Sequence, residues 1–194
     1  MKKTVLKSLL AMSAALLVST ASAADFPDYP MTWVVPYSAG GTTDLMARHL
    51  ASEMGKVLKQ TIVVTNQPGS ASITGATTVA RSAPDGYVFG TVDSGTLAFN
   101  PALYSSLPYD AKKDFSFIGG LGKMPLLLVV SPSFPARNFN ELMSLVRKMP
   151  GNITFASSGN GSPLHVALEL FKQKEGVSLG HMPYKGSAPA LQGL

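Results

Sequence analysis

The residues best suited to chemistry lie in a glycine-bearing stretch at residues 34–44, Val-Val-Pro-Tyr-Ser-Ala-Gly-Gly-Thr-Thr-Asp. An apolar strand there leads through a turn into an amphipathic helix. Gly40 and Gly41 can adopt positive φ and let bare backbone approach a ligand. The first turn of the following helix offers unpaired N–H groups at the positive end of the helix dipole. This combination predicts a site that binds an anion.

A second stretch of the same design follows at residues 153–171, and its turn, residues 157–162, is Ser-Ser-Gly-Asn-Gly-Ser. Ser162 followed by Pro163 is typical of a helix start. Either turn alone could be an ordinary strand-to-helix connection. Two donor-rich turns at the carboxyl ends of parallel strands favour a binding site, because ligands in open α/β sheets bind at that edge. We expect the turns to face each other across a cleft and to hold a small carboxylate.

Several other chemistries lack the residues they need. The first turn has neither the Gly-Lys-Ser/Thr ending of a Walker loop nor the G-x-G-x-x-G spacing of a dinucleotide site. There is no cysteine, which excludes disulfides, thiolate zinc sites and cysteine nucleophiles. The histidines form no H-x-x-x-H or H-E-x-x-H pair, so neither a metal nor a cofactor is expected.

A periplasmic serine hydrolase is the competing interpretation. Ser157 or Ser158 would be its nucleophile and His165 its base, but the G-x-S-x-G elbow is missing. His165 lies one turn inside the helix that Ser162 starts. It is therefore expected to brace the loop more readily than to contact a ligand, and the leading prediction is a protein that is not an enzyme.

The first 23 residues are predicted to be a secretory signal peptide. Lys2, Lys3 and Lys7 precede an apolar run at residues 9–18, and Ala-Ser-Ala at residues 21–23 is typical of a cleavage site. Removing these three lysines lowers the formal charge from +5 to +2. The basic composition is thus partly a targeting feature, and no nucleic-acid partner is expected.

Short β-rich runs alternate with helical segments from residue 32 onward, which is typical of βαβ units and a mainly parallel sheet. Hydrophobic residues make up 45% and charged residues 14%, as in an ordered α/β protein. The crossing between two lobes is placed at residues 122–125, between two apolar runs. The predicted strands span residues 32–36, 61–65, 87–92, 153–156 and 179–182, and the predicted helices span or begin near residues 43, 72–80, 138–149, 162 and 186.

Three helices have recognisable caps and apolar faces. Thr42 or Thr43 is the expected N-cap of the first, with Asp44 complementing the dipole. Asn138 and Glu141 form a capping-box-like pair. The expected buried faces are Met46, Leu50, Met54 and Val57 in the first helix, Leu142, Leu145, Val146 and Met149 in the second, and Leu164, Ala167, Leu168 and Phe171 in the third.

With these residues in place, the sequence resembles the Bug-type, or tripartite tricarboxylate transporter receptor, family of periplasmic solute-binding proteins. The resemblance covers residues 29–194 through eight motifs in order. These are Pro-Tyr-Ser-Ala-Gly-Gly-Thr-Thr-Asp (36–44), Asn-Gln-Pro-Gly (66–69), Ala-Pro-Asp-Gly-Tyr (83–87), Asn-Pro-Ala-Leu-Tyr (100–104), Leu-Pro-Tyr-Asp (107–110), Lys-Asp-Phe (113–115), Ala-Ser-Ser-Gly-Asn-Gly (156–161) and Pro-Tyr-Lys-Gly (183–186).

The resemblance implies a two-lobed α/β Venus-flytrap fold that closes on a carboxylate and delivers it to the membrane permease of a tripartite tricarboxylate transporter. The implied domains are a leader at 1–23, a first α/β lobe at 24–123 and part of a second at 124–194, because family members continue well beyond residue 194. A monomer in the periplasm is expected. A partner of a membrane sensor is a further alternative.

The loops matching residues 37–44 and 156–162 hold the carboxylate in such receptors, and the turn at 93–96 borders the same cleft. Asp93 stands where a neutral group is expected. If Asp93 points into the cleft, it would favour a ligand bearing an amino group. The candidate ligand-binding residues are Tyr37, Ser38, Ala39, Gly40, Gly41, Thr42, Thr43, Asp44, Asp93, Ser94, Thr96, Ala156, Ser157, Ser158, Gly159, Asn160, Gly161, Ser162, His165 and Tyr184.

Overall fold

The computed structural model describes residues 25–194, and the predicted signal peptide lies outside the described residues. Within these residues, five strands and six α-helices alternate in βα order, except that two helices separate the third strand from the fourth, and a π-helical turn lies at Gly95–Phe99. The strands are β1 (Met31–Val35), β2 (Ile62–Asn66), β3 (Val88–Gly90), β4 (Thr154–Ser157) and β5 (Gly180–Pro183). The helices are α1 (Thr42–Leu58), α2 (Ile73–Ala80), α3 (Asn100–Leu103), α4 (Phe139–Lys148), α5 (Pro163–Glu175) and α6 (Ser187–Gln192).

The first sheet is parallel, with β1 in the centre between β2 and β3. Trp33 pairs with Val64 on one side and with Phe89 on the other. This central position buries Trp33 and Val35 almost completely, at 2% and 0% exposure. Because parallel strands need a covering layer, helix α1 packs on this sheet.

Helix α1 meets the sheet through a face that differs in part from the predicted one. Leu50 and Met54 pack against the core as expected. Val57, however, is 80% exposed. Ala47 and Ala51 are buried instead, because small side chains let the helix axis approach the sheet closely.

The second sheet contains the parallel pair β4 and β5, with Phe155 opposite His181. Helix α4 is capped as predicted, since Asn138 Oδ1 accepts from the Glu141 N–H at 3.0 Å and Glu141 accepts from the Arg137 N–H. Its buried residues are Met143 and Val146, whereas the predicted Met149 is exposed. Helix α5 has no fully buried residue, so its expected apolar stripe is only half-buried.

Residues 104–138 contain no helix or strand. The apolar runs of this segment are exposed, with Ile118 at 88% and Leu127 at 79%. The lobe boundary predicted within it stays a prediction. No helix in the described part of the chain is long and apolar enough to cross a membrane.

Candidate functional site

The first glycine loop connects β1 to α1 and is held by a buried carboxylate. Helix α1 has Gly41 at its N-cap with no side-chain cap, so the expected cap by Thr42 or Thr43 is wrong. Instead, the loop is held by hydrogen bonds to the carboxylate of Asp44, a residue that is only 2% exposed. The carboxylate accepts hydrogen bonds from the Gly40 N–H at 2.9 Å, Arg48 Nε at 3.0 Å and Asn66 Nδ2 at 2.8 Å.

These donors set the charge state of Asp44. Burial alone would raise the pKa of this carboxyl, but the hydrogen bonds from Arg48, Gly40 and Asn66 outweigh burial and lower the pKa below its ordinary 3.8. Asp44 is therefore ionised near neutral pH. Its charge ties the loop to strand β2 through Asn66, whose amide also donates to the Tyr37 carbonyl.

The tip of the first loop packs against the start of helix α6. The Ser38 N–H donates to the Lys185 carbonyl at 3.0 Å. A Cβ atom on Gly186 would collide with Ser38, and one on Gly41 would lie 2.9 Å from Ser187 Oγ. Gly41 and Gly186 thus permit a close contact between the loop and α6, and Ala39 and Gly40 remain exposed.

Tyr37 and Asp93 form a hydrogen-bonded pair at the edge of the first sheet. Tyr37 is 7% exposed, and its hydroxyl donates to Asp93 Oδ2 at 2.7 Å. Asp93 Oδ1 accepts from the Thr96 N–H at 3.1 Å. Burial and the Asp93 charge raise the pKa of Tyr37. Both Asp93 oxygens therefore accept hydrogen bonds from residues next to the first sheet. The sequence had raised the alternative that this carboxylate points into the cleft.

The second loop is held by hydroxyls and imidazoles. Ser157 is fully buried, its Oγ accepts from the Gly159 N–H at 3.1 Å, and it lies 2.7 Å from His181 Nε2. The Gly161 N–H donates to His165 Nδ1 at 3.1 Å. Ser162 Oγ accepts from the His165 N–H, so the predicted N-cap of α5 is confirmed. His165 braces the loop, as its spacing from Ser162 indicates.

This arrangement differs from the serine hydrolase that the sequence left open. The imidazole nearest to Ser157 belongs to His181, not to His165. Ser157 has no exposed surface through which a substrate could reach its Oγ. Among the described residues no carboxylate is hydrogen-bonded to His181, so the third member of a triad is not in place.

A cavity of about 220 Å³ lies between the two halves of the chain. Five of the candidate residues line it: Tyr37, Ser158, Gly159, Asn160 and Tyr184. Its other lining residues are Pro36, Gly69, Ser70, Ala71, Ser72, Tyr104, Pro183 and Lys185. The candidates that do not line it are Ser38, Ala39, Gly40, Gly41, Thr42, Thr43, Asp44, Asp93, Ser94, Thr96, Ala156, Ser157, Gly161, Ser162 and His165.

Residues 69–72 are the part of this cavity that sequence reasoning did not select. They connect β2 to α2, and Ser70, Ala71 and Ser72 all have positive φ, at 42°, 48° and 77°. Three successive non-glycine residues in that region are uncommon. The signal that could have found them is the same strand, small-residue turn and helix that marks the other two loops.

The cavity is rich in backbone donors. The N–H groups of Ala71, Ser72, Ser158 and Asn160 have no hydrogen-bond partner within residues 25–194. Ala71 and Ser72 immediately precede helix α2, where the dipole favours negative charge. The cavity thus brings unpaired donors from both halves of the chain to one small volume, which suits an anionic ligand. In the described part of the chain no cluster of three potential metal ligands is present.

A second depression, of about 630 Å³, lies on the outer face of α4 and is lined by residues that include Phe139, Met143, Arg147 and Glu175. No residue of either glycine loop lines it. The smaller cavity has the donor groups that an anion needs, so we take it as the candidate site.

A family model described as "Tripartite tricarboxylate transporter family receptor" matches residues 46–194. Among curated proteins, the chain is 35% identical over 179 residues to Protein BugT of Bordetella pertussis, covering 92% of this chain and 55% of that protein. It is 36% identical over 169 residues to the UPF0065 protein in the tcbD-tcbE intergenic region of Pseudomonas sp., covering 87% and 50%. The chain therefore spans about half the length of these relatives.

Solved structures are similar over the same span. Periplasmic binding protein BugD has a TM-score of 0.77 at 36% identity, covering 87% of this chain and 56% of that one. MatC from Rhodopseudomonas palustris with bound malate has a TM-score of 0.81 at 36% identity, covering 87% and 57%. Rpa4515 from R. palustris with adipate has a TM-score of 0.78 at 34% identity, covering 88% and 57%.

Proposed function

Because the chain belongs to the tripartite tricarboxylate transporter receptor family, whose solved members are periplasmic binding proteins, we propose that it captures a small carboxylate between its two halves. The observation that carries this proposal is the 220 Å³ cavity, which has unpaired backbone donors on both sides. The fold is the two-lobed α/β fold of periplasmic binding proteins, with the second lobe incomplete in this chain. Binding in the cleft between lobes is how such folds recognise their ligands.

In this proposal the carboxylate accepts hydrogen bonds from the N–H groups of Ala71 and Ser72 on one side and of Ser158 and Asn160 on the other. Tyr104 and Tyr184 border the ligand and limit its size. The first glycine loop, residues 37–44, acts mainly through Tyr37 and through its packing on α6. No metal or cofactor takes part, because charge is balanced by backbone dipoles.

The ligand class is proposed from chemistry and from the relatives. A malate-bound and an adipate-bound protein are both similar in structure to this chain. A di- or tricarboxylate or an acidic amino acid is therefore the proposed ligand. The protein would act in the periplasm after removal of its leader, as a monomer that hands the ligand to the membrane permease of a tripartite tricarboxylate transporter.

The test is thermal unfolding of the protein with malate, adipate, citrate, aspartate and glutamate, and with the neutral diamide of malate as a control. A bound ligand raises the unfolding midpoint by mass action. We expect a rise with one or more carboxylates and none with the diamide. A flat response to the whole panel would contradict the proposed ligand class.

A matched pair of glycine variants locates the site. Gly159 and Gly176 both have positive φ, so valine strains the backbone at either position. A side chain at Gly159 reaches toward Ala71 across the cavity, whereas Gly176 faces open space at the end of α5. Gly159→Val is expected to abolish the carboxylate-induced rise and Gly176→Val to keep it. An equal rise in both variants would place the ligand elsewhere.

A further inference from the structure

Two histidines and a phenylalanine form a stack beneath the second loop. The rings of Phe155 and His181 are 4.7 Å apart and those of His181 and His165 are 4.2 Å apart, with interplanar angles of 18° and 13°. Phe155 and His181 are cross-strand partners in β4 and β5, and His165 comes from the first turn of α5. The stack thus joins β4, β5 and α5 next to the second loop.

Each imidazole holds one end of the loop. At one end the Gly161 N–H donates to His165 Nδ1, which must be unprotonated to accept. At the other end Ser157 Oγ accepts from the Gly159 N–H at 3.1 Å. Its hydroxyl proton has two acceptors within reach, the Gly159 carbonyl at 3.3 Å and His181 Nε2 at 2.7 Å, and the shorter distance favours His181. With the Ser157 proton directed to His181, both contacts need a ring nitrogen that carries no proton. Protonating either ring removes its acceptor.

The charges around the stack oppose two protonated rings. Two imidazolium ions 4.2 Å apart would repel each other. Lys172 adds a third cation, with Nζ 5.8 Å from the centre of the Phe155 ring. Glu169 is the opposing group, 3.8 Å from His165 Nε2, but it is paired with Lys172 at 2.7 Å. Burial and the His165 charge lower the pKa of His181, which agrees with this geometry.

We propose that His165 and His181 are positioning residues that hold residues 157–161 in the binding conformation as neutral imidazoles, so that uptake of a proton by either ring loosens the loop and weakens carboxylate binding. The effect on binding rests on the proposed function. The hold on the loop itself is independent of any ligand and is tested without one.

The ligand-free test follows amide and imidazole resonances by NMR between about pH 7.5 and about pH 5.5. We expect the Gly159 and Gly161 amides to shift with the midpoint of the stacked imidazoles, and their protection from hydrogen exchange to fall by at least about tenfold. The Gly40 amide, bonded to the Asp44 carboxylate, is the internal control and keeps its protection. Loop amides that do not follow the imidazole titration would overturn the proposal.

Substitutions that keep the acceptor and remove the titration sharpen this test. Asn places an oxygen near the position of Nδ1 and Gln near that of Nε2, so His165→Asn combined with His181→Gln preserves both contacts. This double variant is expected to show no pH-dependent loss of protection. His49→Gln, on the exposed side of α1, should behave like the unmodified chain. A double variant whose loop still opens on acidification would refute the role of the pair.

The consequence for function is measured with malate and adipate as probes. The dissociation constant is expected to rise about tenfold or more from about pH 7.5 to about pH 5.5 in the unmodified chain, and to change much less in the double variant. The same ratio in both proteins would overturn the link to binding. If neither probe binds at the higher pH, the proposed ligand class fails, while the amide measurements still decide whether the histidines hold the loop.

Discussion

The two glycine loops share one sequence design, a strand, a glycine turn and a helix, yet different chemistry holds each in place. In the first loop one buried carboxylate, Asp44, gathers the Gly40 amide, Arg48 and Asn66. In the second loop the Ser162 hydroxyl caps the helix, and His165 and His181 brace the backbone. The shared pattern therefore predicts where a loop lies but not what fixes it.

The difference gives the loops different responses to acid. Asp44 has its pKa lowered, so its contribution to stability is present above pH 3.8 and is lost as the pH falls below that value. The histidine contacts require neutral rings and are lost when the rings take up protons. The contacts of the first loop therefore stay the same over the physiological pH range, whereas those of the second loop change with pH.

The largest expected effect comes from removing the carboxylate of the first loop. Asp44→Ala leaves the Gly40 and Asn66 donors without their partner in a buried position, which should lower the free energy of unfolding by about 3 kcal/mol. Urea denaturation measures this loss. Asp110→Ala is the control, because Asp110 is an exposed carboxylate that is likewise paired with a basic residue, Lys113. This variant should change the free energy of unfolding little. Equal losses would mean that burial of Asp44 is not the deciding factor.

A smaller loss is expected where the first loop meets helix α6. Gly186→Ala places a Cβ against Ser38 at a positive φ of 152°, and should cost about 2 kcal/mol. Gly176→Ala also has a positive φ, 61°, but faces open space, so strain alone should cost about 1 kcal/mol. Comparing the unfolding curves of the two variants separates the cost of the steric clash with Ser38 from the cost of backbone strain. A larger loss at Gly176 would contradict the packing of the first loop on α6.

The helix caps provide a direct contrast between the loops. Ser162→Ala removes the hydroxyl that caps α5 and should cost about 1 kcal/mol. Thr42→Ala should cost less than about 0.5 kcal/mol, because no side-chain hydroxyl caps α1. Chemical denaturation of both variants tests the contrast. A matching loss for Thr42 would restore the hydroxyl cap that the sequence predicts.

The smallest expected effect is the pH dependence of stability that His181 confers. Its pKa lies below the ordinary 6.5, because burial and His165 disfavour the charged ring. The unfolded chain therefore takes up a proton first, and the stabilisation is complete above pH 6.5 and declines as the pH falls below it. We expect the decline in unfolding midpoint to be weaker in His181→Gln than in the unmodified chain. An identical decline would assign the effect to other groups.

Local features were predictable from the sequence because neighbouring residues determine them. The order of the five strands, the parallel pairing, the Ser162 cap and the Asn138–Glu141 pair follow from hydrophobic period and cap chemistry. The π-helical turn at Gly95–Phe99 and helix α3 were not predicted. Boundaries moved by one or two residues: β1 begins at Met31 rather than Thr32, and β3 ends at Gly90 rather than at residue 92. The five candidate residues that line the cavity lie at or beside the carboxyl ends of parallel strands, where the α/β rule places them.

The tertiary structure alone decided which groups meet across the chain. Sequence patterns could not show that Asp93 engages Tyr37, that residues 69–72 line the cavity, or that His181 reaches Ser157 over 24 positions. Such contacts depend on which loops share a sheet edge and how closely two backbones approach. Period and propensity describe one element at a time, whereas hydrogen-bond partners are set by the packing of several. The sequence by itself therefore determined most of the elements and the positions of the two glycine loops, and packing determined which residues meet at the candidate cavity.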